Sequence, residues 1–262
     1  MTEGDTRVEP GLRVAVHDGV ATLTIDRPAR RNAITLAMWA ALPSVLAPLA
    51  ADPQVRALLV TGAGGTFSAG ADIAELLEVY GDPARADAYH QMNVAAERAL
   101  ADFPRPTVAV IRGACVGGGC QLAVACDLRL AEPGAWLGIT PAKLGVVYPA
   151  EPTARLVRLL GPARAKYLLF SADLVSAERA EMMGLVDEVV LADRLAHRAQ
   201  ELAATIAARS PLTLGAVKAV VAAVSSGTDP QEAVEPWERR SRRAPDVQEG
   251  LTAFLERRAP RF

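Results

Sequence analysis

Three consecutive glycines, Gly117, Gly118 and Gly119, join an apolar run at 107–111 (TVAVI) to a short apolar segment at 120–126 with helical character. The run is rich in β-branched residues and too short for a helix of its own, so it reads as a buried strand. Glycines at a strand-to-helix junction let the backbone approach a ligand with no Cβ in the way, and they leave unpaired N–H groups at the positive end of a helix. Such a junction binds an anion, or an oxygen on its way to becoming one. Taken alone, the glycines serve equally well to pack a helix tightly on a sheet. A second junction of the same design, the strand VRALLVTG at 55–62 followed by AGGTFSAGADI at 63–73, favours the ligand-binding reading.

Four stretches carry a wider resemblance: DRPARRNAI at 26–34, VRALLVTGAGGTFSAGADIAEL at 55–76, PRPTVAVIRGACVGGGCQLAVACDLRLA at 104–131 and EGLTAFLERRAPRF at 249–262. In these stretches and in their order the chain resembles the crotonase superfamily, also called the enoyl-CoA hydratase/isomerase family, over nearly its whole length. The resemblance implies an α/β fold, a crotonase-like spiral of ββα units at 1–193 followed by a C-terminal helical trimerisation module at 194–262. It implies an acyl-CoA substrate whose thioester carbonyl oxygen is held by the backbone N–H groups of Ala71 and Gly118 while an enolate forms. Loss of one such donor typically costs about 10²–10³ in rate. The nucleotide end of CoA is expected on the 27–33 loop and the 68–73 segment, largely through backbone atoms, at Arg27, Arg31, Ala33, Ala69, Ala71, Asp72, Ile73 and Gly118. Asp72 serves equally as a helix N-cap. The CoA thioester is substrate rather than cofactor, and no metal or redox group is implied. The expected partners are that substrate and further copies of the chain, as a homotrimer or a dimer of trimers, without nucleic acid or membrane.

The acid–base residues depart from the family's hydratases. Those enzymes carry one glutamate two residues after the last glycine of the triplet and a second four residues before the glycine of a Leu-Gly pair. The corresponding positions here are Gln121 and Pro141, counted back from Leu144-Gly145. Glutamine exchanges no proton near neutral pH, and proline has no side-chain proton. Positioned general acids and bases contribute typically ~10²–10⁴-fold each, so ordinary water addition is not expected. The stretch TPAKLGVVY at 140–148 resembles the TPxxLGVxY stretch of methylmalonyl-CoA decarboxylase in the same superfamily, where the tyrosine lies in the active site. The chain departs from that enzyme at two positions, Ala71, where the enzyme has histidine, and Gln121, where the enzyme has an acidic residue. Loss of CO2 from a malonyl-type thioester needs oxyanion stabilisation and no general base, because the electrons come from the breaking C–C bond. A nearby glutamate would repel the substrate carboxylate, since two like charges ~4 Å apart cost on the order of 4 kcal/mol at an effective dielectric of 20. Tyr148 then orients that carboxylate or lies near the carbon that is later protonated; the alternative is a pocket-wall aromatic with its hydroxyl tied to backbone.

Glu151, three residues after Tyr148, is a candidate substitute acid for isomerase-like proton shuttling, or a carboxylate favoured by a helix N-terminus. His90 lies in the family's most variable region and faces either pocket or solvent, whereas His17 and His197 fall in a hairpin and in the outer helices. Three readings follow. The chain is a lyase on a carboxyl-bearing acyl-CoA, a hydratase or isomerase with a relocated acid, or a catalytically silent acyl-CoA-binding protein.

The elements that must position these residues are legible in order. Asp18-Gly19 between alternating runs at 12–25 signals a type I′ hairpin. A helix at 35–51 is capped by Thr35 and is expected to kink or break early at Pro43 and Pro48. Helical patterns at 73–80 and 84–103 are separated by Gly81-Asp82-Pro83. Short strands at 128–131, 136–139 and 185–191 alternate with helices at 153–160, 163–171 and 177–183, the last between Ser176 as cap and Gly184 as terminator. Beyond residue 193 only helices are expected, at 194–208, 211–224, 230–243 and 247–257. The arginines at 239, 240, 242, 243, 257, 258 and 261 form a solvated face or intersubunit salt bridges, with phosphate binding as the alternative. At 262 residues, 51% hydrophobic and 22% charged, the chain can bury one substantial core. A net charge of −2 gives no reason to expect nucleic-acid or membrane-surface binding. The stretch MTEGDTRVEPG does not read as a signal peptide, no apolar run is long enough to span a bilayer, and Cys115, Cys120 and Cys126 lack metal-ligand spacing, so buried thiols in a reducing cytoplasm are expected.

Overall fold

The computed structural model describes residues 6–9 and 11–262; most of the polar N-terminal stretch used to argue against a signal peptide lies outside them. Strands β1 (Thr6–Glu9), β2 (Leu12–His17) and β3 (Val20–Ile25) form an antiparallel meander. Its hairpin turns at Asp18 and Gly19, both at positive φ as a type I′ turn requires. Strand β3 pairs in parallel with β4 (Ala57–Gly62), which pairs in parallel with β5 (Thr107–Ile111). The sheet continues through β7 (Leu128–Ala131) to β10 (Glu188–Val189), giving seven strands in the order β1-β2-β3-β4-β5-β7-β10. A second sheet of three strands joins β6 (Ala114–Val116), β8 (Trp136–Gly138) and β9 (Val175–Ser176).

The central strands read as continuous apolar runs because both faces are covered. Successive side chains point to opposite faces. Leu58, Val60, Ala109 and Ile111 enter the main core, while Ala57, Leu59, Val108 and Val110 enter a smaller one beneath Leu195, Ala199 and Ala203. Those three lie four residues apart on α8 (Leu195–Ala207). The first helix of the expected outer module thus also covers the sheet.

Helix α1 (Leu36–Ala51) corrects the expectation of an early break, for it runs continuously through Pro43 and Pro48. Each proline removes one intrahelical hydrogen bond, but both sit away from the buried stripe formed by Met38, Trp39, Leu42, Val45, Leu46 and Leu49. Packing of that stripe holds the helix, and water can serve the freed carbonyls. Thr35 caps it, its hydroxyl accepting from the Met38 N–H at 3.2 Å. Helices α2 (Ile73–Val79) and α3 (Pro83–Ala101) flank the expected break, and α4 (Gly118–Ala125) begins at the glycine triplet. Then come α5 (Ala150–Leu160), α6 (Pro162–Ser171) and α7 (Ala177–Met183), with Ser176 and Gly184 in their expected roles. The strand expected at 185–191 shrinks to β10, because Asp187 uses its side chain as well as its backbone on Arg129: the Arg129 N–H donates to Asp187 Oδ2 at 2.7 Å. After α8 come α9 (Pro211–Ser226), α10 (Pro230–Ser241) and α11 (Asp246–Leu255). Among the described residues no single helix is long and apolar enough to cross a membrane.

One buried side chain ties the 27–33 loop to the turn after β4. Asn32 is fully buried, accepts from the Arg27 N–H, and donates through Nδ2 to the carbonyls of Ala63 at 2.8 Å and Thr66 at 2.5 Å. Asn32→Asp keeps the shape but points a carboxylate oxygen at two carbonyl oxygens. We expect a loss of about 3 kcal/mol, read as a lower urea midpoint with unchanged slope.

Candidate active site

Two isolated backbone bridges assemble the site. In the first, Ile34 pairs with Ala71: the Ile34 N–H donates to Gly70 O at 2.8 Å and the Asp72 N–H to Ile34 O at 2.9 Å. A parallel bridge of this kind engages the residues on either side of Ala71 and leaves the Ala71 N–H free to point away. The second bridge pairs Ser68 with Cys115, Ser68 N–H donating to Ala114 O and Val116 N–H to Ser68 O. Gly117 is anchored by its N–H on Gly138 O at 2.8 Å, and Gly118 follows as the first residue of α4, where an N–H has no intrahelical acceptor.

The Ala71 and Gly118 amides lie close together. A methyl group built on Gly118 would lie 3.6 Å from the Ala71 nitrogen, and one built on Gly70 would lie 3.4 Å from the Gly118 nitrogen. The close approach requires glycine at both. At Gly118 a Cβ would press on the Trp39 ring at 2.8 Å, and Gly70 has φ of +100° with the Val116 carbonyl oxygen 2.9 Å from any added Cβ. Two convergent N–H donors in a concave site are the geometry of an oxyanion hole.

The cavity that holds these amides has a volume of about 100 Å³. Gln121, Asn93, Tyr148, Thr140, Pro141 and Val146 line it around the amides, and Leu76, Tyr80, Tyr89 and His90 line the part closed by α2 and α3. Among the described residues, no Asp or Glu lines it. Gln121 is buried and locked, its Nε2 donating to Asn93 Oδ1 at 2.8 Å. Tyr148 is half-buried and its hydroxyl has no hydrogen-bond partner among the described residues, so it is not tied to backbone. Burial, with smaller contributions from Cys120 and Glu97, raises its pKa well above the usual phenol value, and it stays neutral. Burial and neighbouring Tyr80 push the Tyr89 hydroxyl up to about 12.

Glu151 does not belong to this cavity. It sits in the first turn of α5, where the helix dipole favours a carboxylate, and is engaged by the Arg98 side chain through both oxygens. The hydrogen bond from Arg98 holds its carboxyl below the ordinary range, which makes it a poor proton donor. The expectation of Glu151 as substitute acid is corrected on these grounds. His90 lines the cavity and is exposed on its other side, and His197 pairs with Glu201 on α8.

The loop expected to take the nucleotide end abuts the cavity. The Ala69 N–H donates to Arg31 O, and Ala69, Ala71, Ile73 and Gly118 line the cavity. Arg27 is committed to the protein: its Nη1 donates to Ala33 O at 2.6 Å and to Asp72 Oδ2 at 3.1 Å. Asp72 in turn accepts from the Ala74 N–H as the cap of α2, the structural role foreseen for it. Arg31 is exposed, at positive φ. The cysteines are buried and free, and burial raises Cys126 to about 12. In the C-terminal helices Arg239, Arg242 and Arg258 pair with Glu235, Glu238 and Glu249, as a solvated face would.

Sequence reasoning missed the polar layer behind the cavity. Glu97, fully buried one turn after Asn93 on α3, accepts from Arg155 Nε at 2.6 Å through Oε1, while Oε2 has no hydrogen-bond partner. Burial, opposed by Arg155, raises its pKa. The signal was present: Asn93, Ala96, Glu97 and Leu100 form one buried stripe at spacings of three and four, and two of its members are polar.

The comparisons agree with the geometry. The family model described as enoyl-CoA hydratase/isomerase matches residues 15–262. The 1,2-epoxyphenylacetyl-CoA isomerase of Escherichia coli is 34% identical over 254 residues, covering 94% of this chain and 96% of that protein. An enoyl-CoA hydratase/isomerase family protein from Hyphomonas neptunium superposes with a TM-score of 0.92 at 37% identity, covering 96% of this chain and 97% of the other. An enoyl-CoA hydratase/carnithine racemase from Magnetospirillum magneticum gives 0.92 at 33% identity, covering 96% and 95%. The α/β fold and the family match together define an enzyme of the crotonase class. The chain belongs to the enoyl-CoA hydratase/isomerase family, the crotonase superfamily, and is an acyl-CoA enzyme of that family.

Gly70→Ala should reorient the Ala71 amide and lower kcat/KM about 10²-fold, with the circular-dichroism spectrum unchanged. The raised pKa of Glu97 means that the folded chain holds this proton more tightly than the unfolded chain does. Its contribution to stability is therefore present below the ordinary glutamate value, near pH 4, and falls as pH rises through the raised value. Glu97→Gln should flatten that part of the stability–pH curve, measured by urea midpoints across the range.

Proposed function

We propose that this enzyme removes CO2 from a short malonyl-type CoA thioester. The observation that carries the reading is the cavity lining: two oxyanion donors and a tyrosine hydroxyl, with no carboxylate among the described residues. The thioester carbonyl oxygen accepts from the Ala71 and Gly118 N–H groups. The C–C bond to the carboxylate breaks, CO2 leaves, and its electron pair forms an enolate whose oxygen the two amides stabilise. The Tyr148 hydroxyl, a far stronger acid than the carbon it serves even with a raised pKa, gives its proton to that carbon, and the phenolate regains one from water at the cavity mouth. Gln121, held by Asn93, presents a neutral amide where a glutamate would repel the substrate. The size fits as well. An apolar cavity of about 150 Å³ admits a benzene ring, so one of about 100 Å³ suits an acyl group of a few heavy atoms.

The names of the relatives favour a second reading, water addition to an enoyl-CoA or isomerisation of another acyl-CoA. That chemistry would need an acid other than Glu151. Self-association as a trimer belongs to either reading. It is supported by the exposed apolar stripe Val217, Val221 and Val224 on α9 and by Leu251, Phe254 and Leu255 on α11.

Mass spectrometry of the protein incubated with methylmalonyl-CoA and crotonyl-CoA together tests the proposal. We expect a loss of CO2 from the first and no hydration of the second, and hydration of crotonyl-CoA alone overturns it. Tyr148→Phe should lower decarboxylation about 10²-fold, whereas Glu151→Gln should leave it within about twofold, as befits an exposed ion pair.

A further inference from the structure

We propose that His90 recognises the carboxylate of the acyl substrate and so sets the enzyme's preference for carboxyl-bearing thioesters. This inference rests on the decarboxylation reading and names the residue that would make it selective.

Repulsion is avoided by a cavity without carboxylates, but avoidance alone does not select a charged substrate over a neutral one of the same size. Selection needs a group that interacts with the charge. Among the described residues lining the cavity, His90 is the one side chain able to carry a positive charge; the others are apolar, or neutral hydroxyls and amides. Its placement suits the task. His90 lies on α3 three residues before Asn93, so both project from one helix face. Asn93 is fixed to Gln121, the residue beside the oxyanion donors, by a 2.8 Å hydrogen bond. The cavity therefore runs from the amide pair past Gln121 and Asn93 to His90, with Leu76, Tyr80 and Tyr89 around it.

The chemistry of the side chain is matched as well. An imidazole donates to a carboxylate in either protonation state and adds a full charge when protonated. Hydrogen bonds with an ionised partner are roughly twice as strong as neutral ones. Among the described residues no carboxylate lies within salt-bridge distance of the ring, whereas the His197 ring lies 3.3 Å from Glu201. An alternative role as a solvated rim residue would give His90 no influence on which acyl group binds.

The test is a comparison of two ligands that need not react. Succinyl-CoA and butyryl-CoA have chains of similar length and differ in a terminal carboxylate against a methyl group. Their dissociation constants are measured by calorimetry for the wild type, His90→Gln and His90→Arg. We expect the wild type to bind succinyl-CoA about tenfold more tightly than butyryl-CoA. His90→Gln should lose that preference with butyryl-CoA binding unchanged, and His90→Arg should keep it. Equal binding of both ligands by the wild type, or a preference that survives in His90→Gln, overturns the assignment. Because binding is read rather than turnover, the two proposals fail separately. A His90-dependent preference without CO2 loss from methylmalonyl-CoA counts against the reaction alone, and CO2 loss with an unaltered preference in His90→Gln counts against His90 alone.

Discussion

The site depends on two backbone amides, those of Ala71 and Gly118, which the surrounding bridges leave side by side without a backbone acceptor. An unpaired buried N–H is unfavourable, so it persists only where the surrounding chain permits nothing else. Here the constraint is imposed twice over. The Ile34 bridge fixes Gly70 and Asp72 and turns the Ala71 N–H outward, while the Ser68 bridge and the Gly117 bond to Gly138 deliver the end of α4 to the same place. Ser68 joins the halves, its hydroxyl donating to Asn32 O and accepting from the Gly70 N–H. The hole is thus built from short connections between two parallel strand-to-helix crossings. Its rigidity comes from the sheet beneath rather than from any side chain that touches substrate.

Behind this backbone frame lies a layer of buried polar side chains with a different logic. Gln121 and Asn93 satisfy one another, and Glu97 is held by Arg155 with one oxygen left over. A buried carboxylate half satisfied in this way raises the local cost of any further negative charge, which is consistent with Glu97 contributing to the raised pKa of Tyr148. The tyrosine is kept as a neutral donor by its surroundings, and the amide wall holds no charge of its own. On the opposite flank Arg129, almost fully buried, donates to the carbonyls of Leu185, Cys126 and Asp127 and pairs with Asp187. It closes the end of the strand that follows α4 and so steadies the helix carrying Gly118.

What the sequence disclosed and what it hid divide by distance along the chain. Local signals were readable: the glycine triplet, the Asp18-Gly19 turn, the caps at Thr35 and Ser176, and the doubly buried strands. Each rests on interactions within a few residues. The misreadings concern what packing decides. Pro43 and Pro48 suggest an early break of α1, and the apolar stripe beside them keeps it continuous. Glu151 stood three residues from Tyr148 in sequence, yet its partner Arg98 is 53 residues away and draws it off the cavity. Gln121 with Asn93, and Glu97 with Arg155, are separated by 28 and 58 residues. Nothing in the order of residues names such partners, although polar residues on the buried stripe of α3 mark where to look.

The close contact of Gly118 with the Trp39 ring has a consequence for how this scaffold can change over evolutionary time. Because the amide pair is made of backbone pressed against backbone and ring, almost any substitution there is penalised at once, and the carbonyl-holding step is inherited as a unit. The wall supplied by α2 and α3 is different in kind. Residues such as Tyr80 and His90 are exposed on at least one side, so exchanging them disturbs little of the core. Mutational freedom is therefore concentrated in the wall from α2 and α3 and withheld at the amide pair. A lineage built on this frame can drift among substrates, and even among reactions that share an enolate, without first passing through an unfolded intermediate form.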